Sequence, residues 1–302
     1  MDLKSKIILI YGPTASGKSD FAIKLAKKIK GEIVNADSMQ VYKELKILTA
    51  RPVKNNFQKI KHHLYGFKNS KKVFSTGDWL KIVTKKIKEI KKRKKIPILV
   101  GGTGLYFKAI TEGLVEIPVI PIKFRSKIRL LQKFIGQKKF YKKLLKIDPL
   151  IINHIKPTDV QRSIRAYEIK LFTKKSITEW HKSTKSKFNK KDFFKIYIDY
   201  PRVELIEKIN LRTKQMLNLG AISEVKNFLK LRISKNKSIS KAIGVAEIKD
   251  FIQKKIVKEE VIEKISIKTR QYAKRQATWA RGHMSSWKKI RPKRLNFFLK
   301  KI

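Results

Sequence analysis

Cysteine is absent from this chain of 302 residues, which excludes disulfides, iron–sulfur clusters and cysteine zinc sites and fits a reducing cytoplasm. Carboxylates are scarce: 23 Asp+Glu stand against 75 Lys+Arg and leave a net charge of +52. No apolar run approaches the length of about 20 residues needed to span a bilayer, so no membrane partner is expected. Internal repeats and low-complexity linkers are missing too. The first apolar run, preceded by Lys4 and Lys6, leads straight into a glycine loop with no cleavage-type segment. It reads as a core strand and not as a signal peptide.

What is present is enough to fold. With 42% hydrophobic residues the chain can bury a substantial core, one α/β domain plus a smaller one. The positive charge is spread over the whole length, which suits a nucleic acid better than a membrane surface. The alternative is a lysine-rich composition that merely solvates the surface.

The strongest local signal is Gly12-Pro13-Thr14-Ala15-Ser16-Gly17-Lys18-Ser19, between the apolar run Ile7-Ile8-Leu9-Ile10 and a helical stretch from Asp20. A strand running through such a loop into a helix points backbone N–H groups and a helix N-terminus at one anionic group. Lys18 then supplies a point charge and Ser19 a ligand for Mg²⁺. A di- or triphosphate is the expected occupant.

Short apolar strands alternate with amphipathic helices along the chain. Strands are expected at Ile7–Tyr11, Glu32–Ala36, His63–Phe67, Ile96–Val100 and Lys195–Asp199. From Asp78 to Lys95, Leu80, Val83, Ile87 and Ile90 form one helical stripe, with Thr76 or Asp78 as its cap. Strand signals stop between Pro118 and Asn189, where Asp148-Pro149 and Thr158-Asp159 mark helix starts. Gly220 reads as a helix stop. The expected fold is therefore α/β: a P-loop-type parallel sheet flanked by helices, with an all-helical insertion. Residues 1–117 and 190–302 make the core with its C-terminal helices, and 118–189 the insertion. The basic tail Lys288–Ile302 is expected to be poorly ordered.

Two further segments end strands where open parallel sheets bind ligands. In Asn35-Ala36-Asp37-Ser38-Met39-Gln40-Val41-Tyr42, Asp37 can be a metal ligand, a general base or a helix N-cap. Gly101-Gly102-Thr103-Gly104 either lets backbone approach a ligand or is a plain strand-to-helix turn. Gln161 and Arg165 share one helix face, and Arg270, Lys274 and Arg275 lie together near the C-terminus; both sets are solvated faces or nucleic-acid contacts. Tyr272 and Trp279 read as core anchors. The pair His62 and His63 reads as structural.

Taken together, GPTASGKS at 12–19, NADSMQVY at 35–42, His62-His63-Leu64, PILVGGTGLY at 97–106, DVQRSIRAYEI at 159–169 and TRQYAKRQATW at 269–279 resemble the bacterial tRNA dimethylallyltransferase family, in the family's order over nearly the whole chain. The resemblance implies a Mg²⁺-dependent prenyltransferase of the cytoplasm, working as a monomer on the anticodon stem-loop of tRNA. It would move a dimethylallyl group from dimethylallyl diphosphate to N6 of adenosine 37 in tRNAs reading codons that begin with U. By the same resemblance the loop Gly12, Pro13, Thr14, Ala15, Ser16, Gly17, Lys18 and Ser19 holds the diphosphate, with Ser19 on the metal. Asp37 is the base, and Lys18, Thr103 and Arg212 act with it. The resemblance further implies tRNA contacts at Asp37, Ser38, Met39, Gln40, Thr103, Arg125, Gln161, Arg162, Ser163, Ile164 and Arg165.

The chain departs from the family pattern at two places. Leu48-Thr49-Ala50-Arg51-Pro52 stands where the family has Gly-Thr-Ala-Lys-Pro, and Gly244-Val245-Ala246-Glu247 where it has a Gly-Tyr-Lys-Glu type segment. The zinc finger of eukaryotic relatives is missing. Competing readings are a small-molecule kinase, a nucleic-acid-stimulated NTPase and a prenyltransferase of free adenylate.

Overall fold

The computed structural model describes residues 3, 5–52, 59–182 and 184–302, so Lys4 lies outside the described residues. Among the described residues six strands form one sheet: β1 (Ile7–Tyr11), β2 (Gly31–Asn35), β3 (His62–His63), β4 (Ile96–Gly101), β5 (Phe193–Ile198) and β6 (Lys288–Ile290). Their order is β3-β2-β4-β1-β5-β6, and every pairing is parallel. β1, β2 and β4 are buried at every position. A central parallel strand covered on both faces favours apolar runs such as β1 and β4, because helices lie above and below it, and the polar Glu32 and Asn35 of β2 are buried only with partners.

The helices are α1 (Lys18–Ile29), α2 (Thr76–Lys92), α3 (Gly104–Glu112), α4 (Ile122–Ile147), α5 (Val160–Thr173), α6 (Ile177–Lys182), α7 (Arg202–Asn218), α8 (Ala221–Lys230), α9 (Val245–Ile252), α10 (Lys258–His283) and α11 (Leu295–Lys300). Alternate strand residues face opposite layers. Ile7, Leu9, Tyr11, Val34 and Leu99 pack with Trp79, Val83 and Ile87 of α2 and Phe107 of α3. Ile8, Ile10, Ile33 and Ile98 pack with Phe21 and Leu25 of α1 and Phe298 of α11. A further apolar cluster joins Val41 and Leu45 to Leu217, Val225, Ile248 and Ile265 of the C-terminal helices.

Contacts divide the chain into two compact units, Met1–Thr111 with Phe188–Ile302, and Glu112–Lys187. The sequence placed these divisions at 118 and 189. The second unit is helical, with Phe140, Leu144, Ile151 and Ala166 at its centre. Its longest helix, α4, is broken at Gly136, whose φ of 74° and ψ of 163° lie outside the helical region. Asp159 caps α5 by accepting the Arg162 N–H at 3.0 Å.

Several local expectations are corrected. The cap of α2 is Ser75, one residue earlier than expected: its Oγ accepts the Asp78 N–H while the Asp78 carboxylate accepts the Ser75 N–H, a reciprocal capping box. β3 stops after His63, because Leu64 and Gly66 have φ of 63° and 55° and turn the backbone out of the extended region. The C-terminal tail is ordered into β6 and α11. β6 pairs with β5, and Phe298 meets the rings of Phe21 and Phe194. Gly220, with φ of 97°, closes α7 and opens α8. No helix among the described residues is long and apolar enough to cross a membrane.

Candidate active site

β1 ends in the glycine loop, and the loop opens α1. Gly17 precedes the helix with φ of 76°, and Ala15 is also left-handed at 65°. This backbone leaves the first N–H groups of α1 without helical partners. At Gly12 a Cβ would fall 2.8 Å from Ser16 Oγ and 3.2 Å from Ile198 Cβ, so only glycine fits where β1 meets β5.

The turn after β2 carries Asp37. Buried Asn35 clamps it: Asn35 Oδ1 accepts the Asp37 N–H at 2.9 Å, and Asn35 Nδ2 donates to the carbonyls of Asp37 at 2.9 Å and Leu64 at 3.1 Å. Asp37 Oδ1 accepts the Met39 N–H at 2.9 Å. Its other oxygen takes no hydrogen bond from a described residue. The glycine loop after β4 fixes the same turn, since Thr103 Oγ1 accepts the Ser38 N–H at 2.9 Å and donates to Ser38 Oγ at 3.2 Å. A Cβ on Gly101 would sit 2.1 Å from the Ala36 carbonyl oxygen. Gly101 therefore serves close approach of two strand ends.

These loops meet a cavity of about 670 Å³, lined by Thr14, Ser16, Lys18, Ser19, Asp37, Met39, Gln40 and Arg212 among others. Arg212 Nη2 donates to Thr14 Oγ1 at 2.6 Å, and Lys18 Nζ to the Pro13 carbonyl at 3.2 Å. Burial pushes the Lys18 ammonium down to about 8, against the pull of Asp37. Burial also lowers Arg212, again opposed by Asp37. Among the described residues five cationic side chains line the cavity (Lys18, Lys208, Arg212, Lys241, Arg275) against two carboxylates (Asp20, Asp37). Beside them lies an apolar wall of Leu48, Leu211, Met216, Ile243 and Ile265.

The remaining sequence candidates fall elsewhere. Gly12, Pro13, Ser38 and Thr103 shape the loops without lining the cavity. Arg125, Gln161, Arg162, Ser163, Ile164 and Arg165 belong to the second unit. Within it Ser163 and Ile164 are buried, so their side chains hold α5 in place and are not presented to a partner. Gln161 is exposed, and Arg162 pairs with Asp159 at 3.1 Å. Arg51 is spent on the carbonyls of Tyr42 at 2.7 Å and Lys43 at 3.2 Å. Glu247 caps α9 through the Gly244 N–H at 2.9 Å. His63 is structural, its Nε2 2.6 Å from the Glu32 carboxylate that also holds Arg93. Tyr272 is corrected: it lines the cavity and is not a core anchor. Burial, with Asp37 next, raises its phenol well above the usual range.

Gln276 was missed. It is buried on α10, where its Oε1 accepts the Thr14 N–H at 2.8 Å and its Nε2 donates to the Gly102 carbonyl at 2.8 Å. One amide thus ties the two glycine loops together, and the backbone partners fix which way it points. The only available signal was its place in the 269–279 motif. Gln276→Glu sets a carboxylate oxygen against the Gly102 carbonyl, a buried mismatch of roughly 1–3 kcal/mol. Thermal unfolding is expected to fall accordingly, with KM for the phosphate-bearing substrate rising; an unchanged KM would show that the loops do not depend on this tie.

Loops at the carboxyl ends of a parallel sheet, converging on a cavity with excess cations, define an α/β protein with a ligand site built for an anion. Residues 40–283 match the family described as IPP transferase. Over 302 residues the chain is 63% identical to the tRNA dimethylallyltransferase of Pelagibacter ubique (strain HTCC1062), spanning all of this chain and 96% of that one. Among solved structures it is similar to the tRNA delta(2)-isopentenylpyrophosphate transferase of Staphylococcus epidermidis, with TM-score 0.69, 32% identity and coverage of 98% and 96%. It is also similar to a eukaryotic dimethylallyltransferase acting on tRNA, with TM-score 0.83, 28% identity and coverage of 95% and 74%. The chain belongs to the IPP transferase family and is an enzyme of that transferase class.

Proposed function

We propose that the protein transfers the dimethylallyl group of dimethylallyl diphosphate to N6 of adenosine 37 in tRNAs reading codons that begin with U. The carrying observation is that one cavity combines an excess of cations, with Lys18 and Arg212 at the glycine loop, and an apolar wall. An allylic diphosphate has the matching shape, an anionic head and an apolar tail. The tRNA identity of the acceptor is supported by the names of the relatives.

An exocyclic adenine amine is a poor nucleophile, because its lone pair is delocalised into the ring. In the step proposed, the N6–carbon bond forms as the allylic carbon–oxygen bond breaks, and the N6 proton passes to the free oxygen of Asp37. Negative charge builds on the departing diphosphate, where the N–H groups of the loop, Lys18 and Arg212 receive it. The adenine must leave the stack of its loop to reach Asp37. Ser19 lines the same cavity, where its hydroxyl would hold a Mg²⁺ bound largely through substrate phosphates. Such an ion, when bound, neutralises charge on the leaving diphosphate.

Lys18 gives this reading a pH signature. Its folded-state pKa of about 8 keeps it charged below that pH and neutral above it, so its contribution to diphosphate affinity should be lost as pH rises through about 8. Binding near pH 8 should also take up protons, because the anion favours the ammonium. Calorimetry in buffers of different ionisation enthalpy reads this; no proton uptake would contradict the placement of the anion at Lys18.

The function itself is tested by offering dimethylallyl diphosphate with unmodified tRNA, with AMP, and alongside ATP. Label in the tRNA alone supports the proposal. Label in AMP, or phosphate released from ATP, would replace it with the adenylate prenyltransferase or NTPase reading.

A further inference from the structure

In the second unit, one carboxylate sits among three guanidinium groups. Glu168 on α5 is buried, with 1% of its surface exposed. Its Oε2 accepts from Arg125 Nε at 3.1 Å and from Arg165 Nη1 at 3.3 Å, while Arg129 Nε stands 3.6 Å from its Oε1. The sequence spacing produces the cluster. Arg125 and Arg129 are four apart on α4, Arg165 and Glu168 three apart on α5, and the two helices pack against each other.

Three positive charges on one negative charge leave an excess of two. A buried carboxylate needs one good partner to offset its desolvation, and here it gathers three. The three side chains remain between 38% and 54% exposed. The hydrogen bonds use Nε of Arg125 and a single Nη of Arg165, while Arg129 stands only at ion-pair distance, so among the described residues both Nη groups of Arg125 and Arg129 and the remaining N–H groups of Arg165 hold no protein partner. Arg125, held at Nε, keeps its Nη fork for a ligand, and a guanidinium fork suits phosphate oxygens.

We propose that Glu168 is a positioning residue that organises Arg125, Arg129 and Arg165 into one binding site for the phosphodiester backbone of RNA, with Arg129 as a contact residue alongside the other two. This rests on the reading that the substrate is an RNA. The occupant is a polyanion, because the cluster keeps a surplus of charge after its own carboxylate is counted. Glu168 supplies geometry and not attraction: its charge opposes the ligand, and its value lies in holding the forks still before the RNA arrives.

That opposition makes the test decisive in sign. Glu168→Gln removes a negative charge, so attraction by net charge alone would tighten RNA binding. Positioning requires the reverse, a loss of about tenfold in affinity as the arginines lose their anchor. Affinity of the full chain for an unmodified tRNA is measured over a salt series for wild type, Glu168→Gln and Arg129→Ala, with thermal unfolding as the control for folding. Arg129 is surface-exposed, so its variant tests the site even where Glu168→Gln folds poorly. Arg129→Ala should weaken binding and lower the salt slope by about 1. Unchanged or tighter binding by Glu168→Gln, or an unchanged salt slope in Arg129→Ala, overturns the proposal while wild type still binds tRNA. Failure of wild type itself to bind tRNA overturns the RNA reading instead.

Discussion

Asp37→Asn is expected to cut turnover by about 10²–10⁴-fold, the range over which a positioned general base contributes. The substitution keeps an oxygen to accept the Met39 N–H, and the Asn35 clamp acts on the backbone of residue 37 and not on its side chain. The turn should therefore stay in place. What changes is the second oxygen, which becomes an NH₂ that cannot take a proton from the adenine amine. RNA affinity should be little affected, because one carboxylate in a cavity of five cations contributes little to holding a polyanion. A second consequence follows from charge: Asp37 raises the pKa of Lys18, so its loss should move the alkaline limb of diphosphate binding to lower pH. Single-turnover rates with both substrates saturating isolate the chemical step. A rate within threefold of wild type would remove Asp37 from the role of base.

Lys18→Met carries the second large effect, and its two readouts run in opposite directions. A donor aimed at developing charge contributes roughly 2.7–4 kcal/mol, so the rate should fall by about 10²–10³-fold. Diphosphate should bind more weakly, with RNA affinity little changed. The ligand-free protein, however, should unfold at a higher temperature than wild type. Lys18 and Arg212 are both depressed by burial and share the influence of Asp37, and neither is in an ion pair among the described residues. Replacing a desolvated cation with a methionine of similar length removes that penalty. The site holds charge at the expense of stability because the anion compensates on arrival. A Lys18→Met protein less stable than wild type without ligand, or one that binds diphosphate normally, would contradict this.

The sequence made the central strands and their loops legible for physical reasons that the structure makes plain. β1 and β4 are apolar runs followed by glycine turns, and such runs have few alternatives to a buried parallel strand. β3 was overextended because Leu64 and Gly66 give no sign in composition that their φ is positive. β6 and α11 were hidden by the six lysines and arginines of Lys288-Lys289-Ile290-Arg291-Pro292-Lys293-Arg294 and Lys300, which made the tail look solvated. The signal was nevertheless there: Leu295, Phe298, Leu299 and Ile302 recur at helical spacing and are the residues that pack against α1 and β5.

Within the site, the residues on short loops after strands could be named from local pattern. The roles of Tyr272 and Gln276 on α10 could not, since Gln276 acts across 262 residues to Thr14 and 174 to Gly102, Tyr272 joins a cavity lined by the N-terminal loops, and nothing in their neighbourhood announces the loops they meet. Glu168 was concealed differently. A lone acidic residue on a basic helix reads as an i,i+3 partner, and only the packing of α4 on α5 shows that it serves three arginines.

The most direct measurement is chemical. An unmodified tRNA with adenosine at positions 36 and 37 is incubated with the protein, Mg²⁺ and dimethylallyl diphosphate, then digested to nucleosides and analysed by mass spectrometry, alongside a tRNA with guanosine at 37. The account predicts N6-dimethylallyladenosine from the first tRNA and none from the second. Absence of the modified nucleoside from the first, or its equal formation in the second, would contradict it.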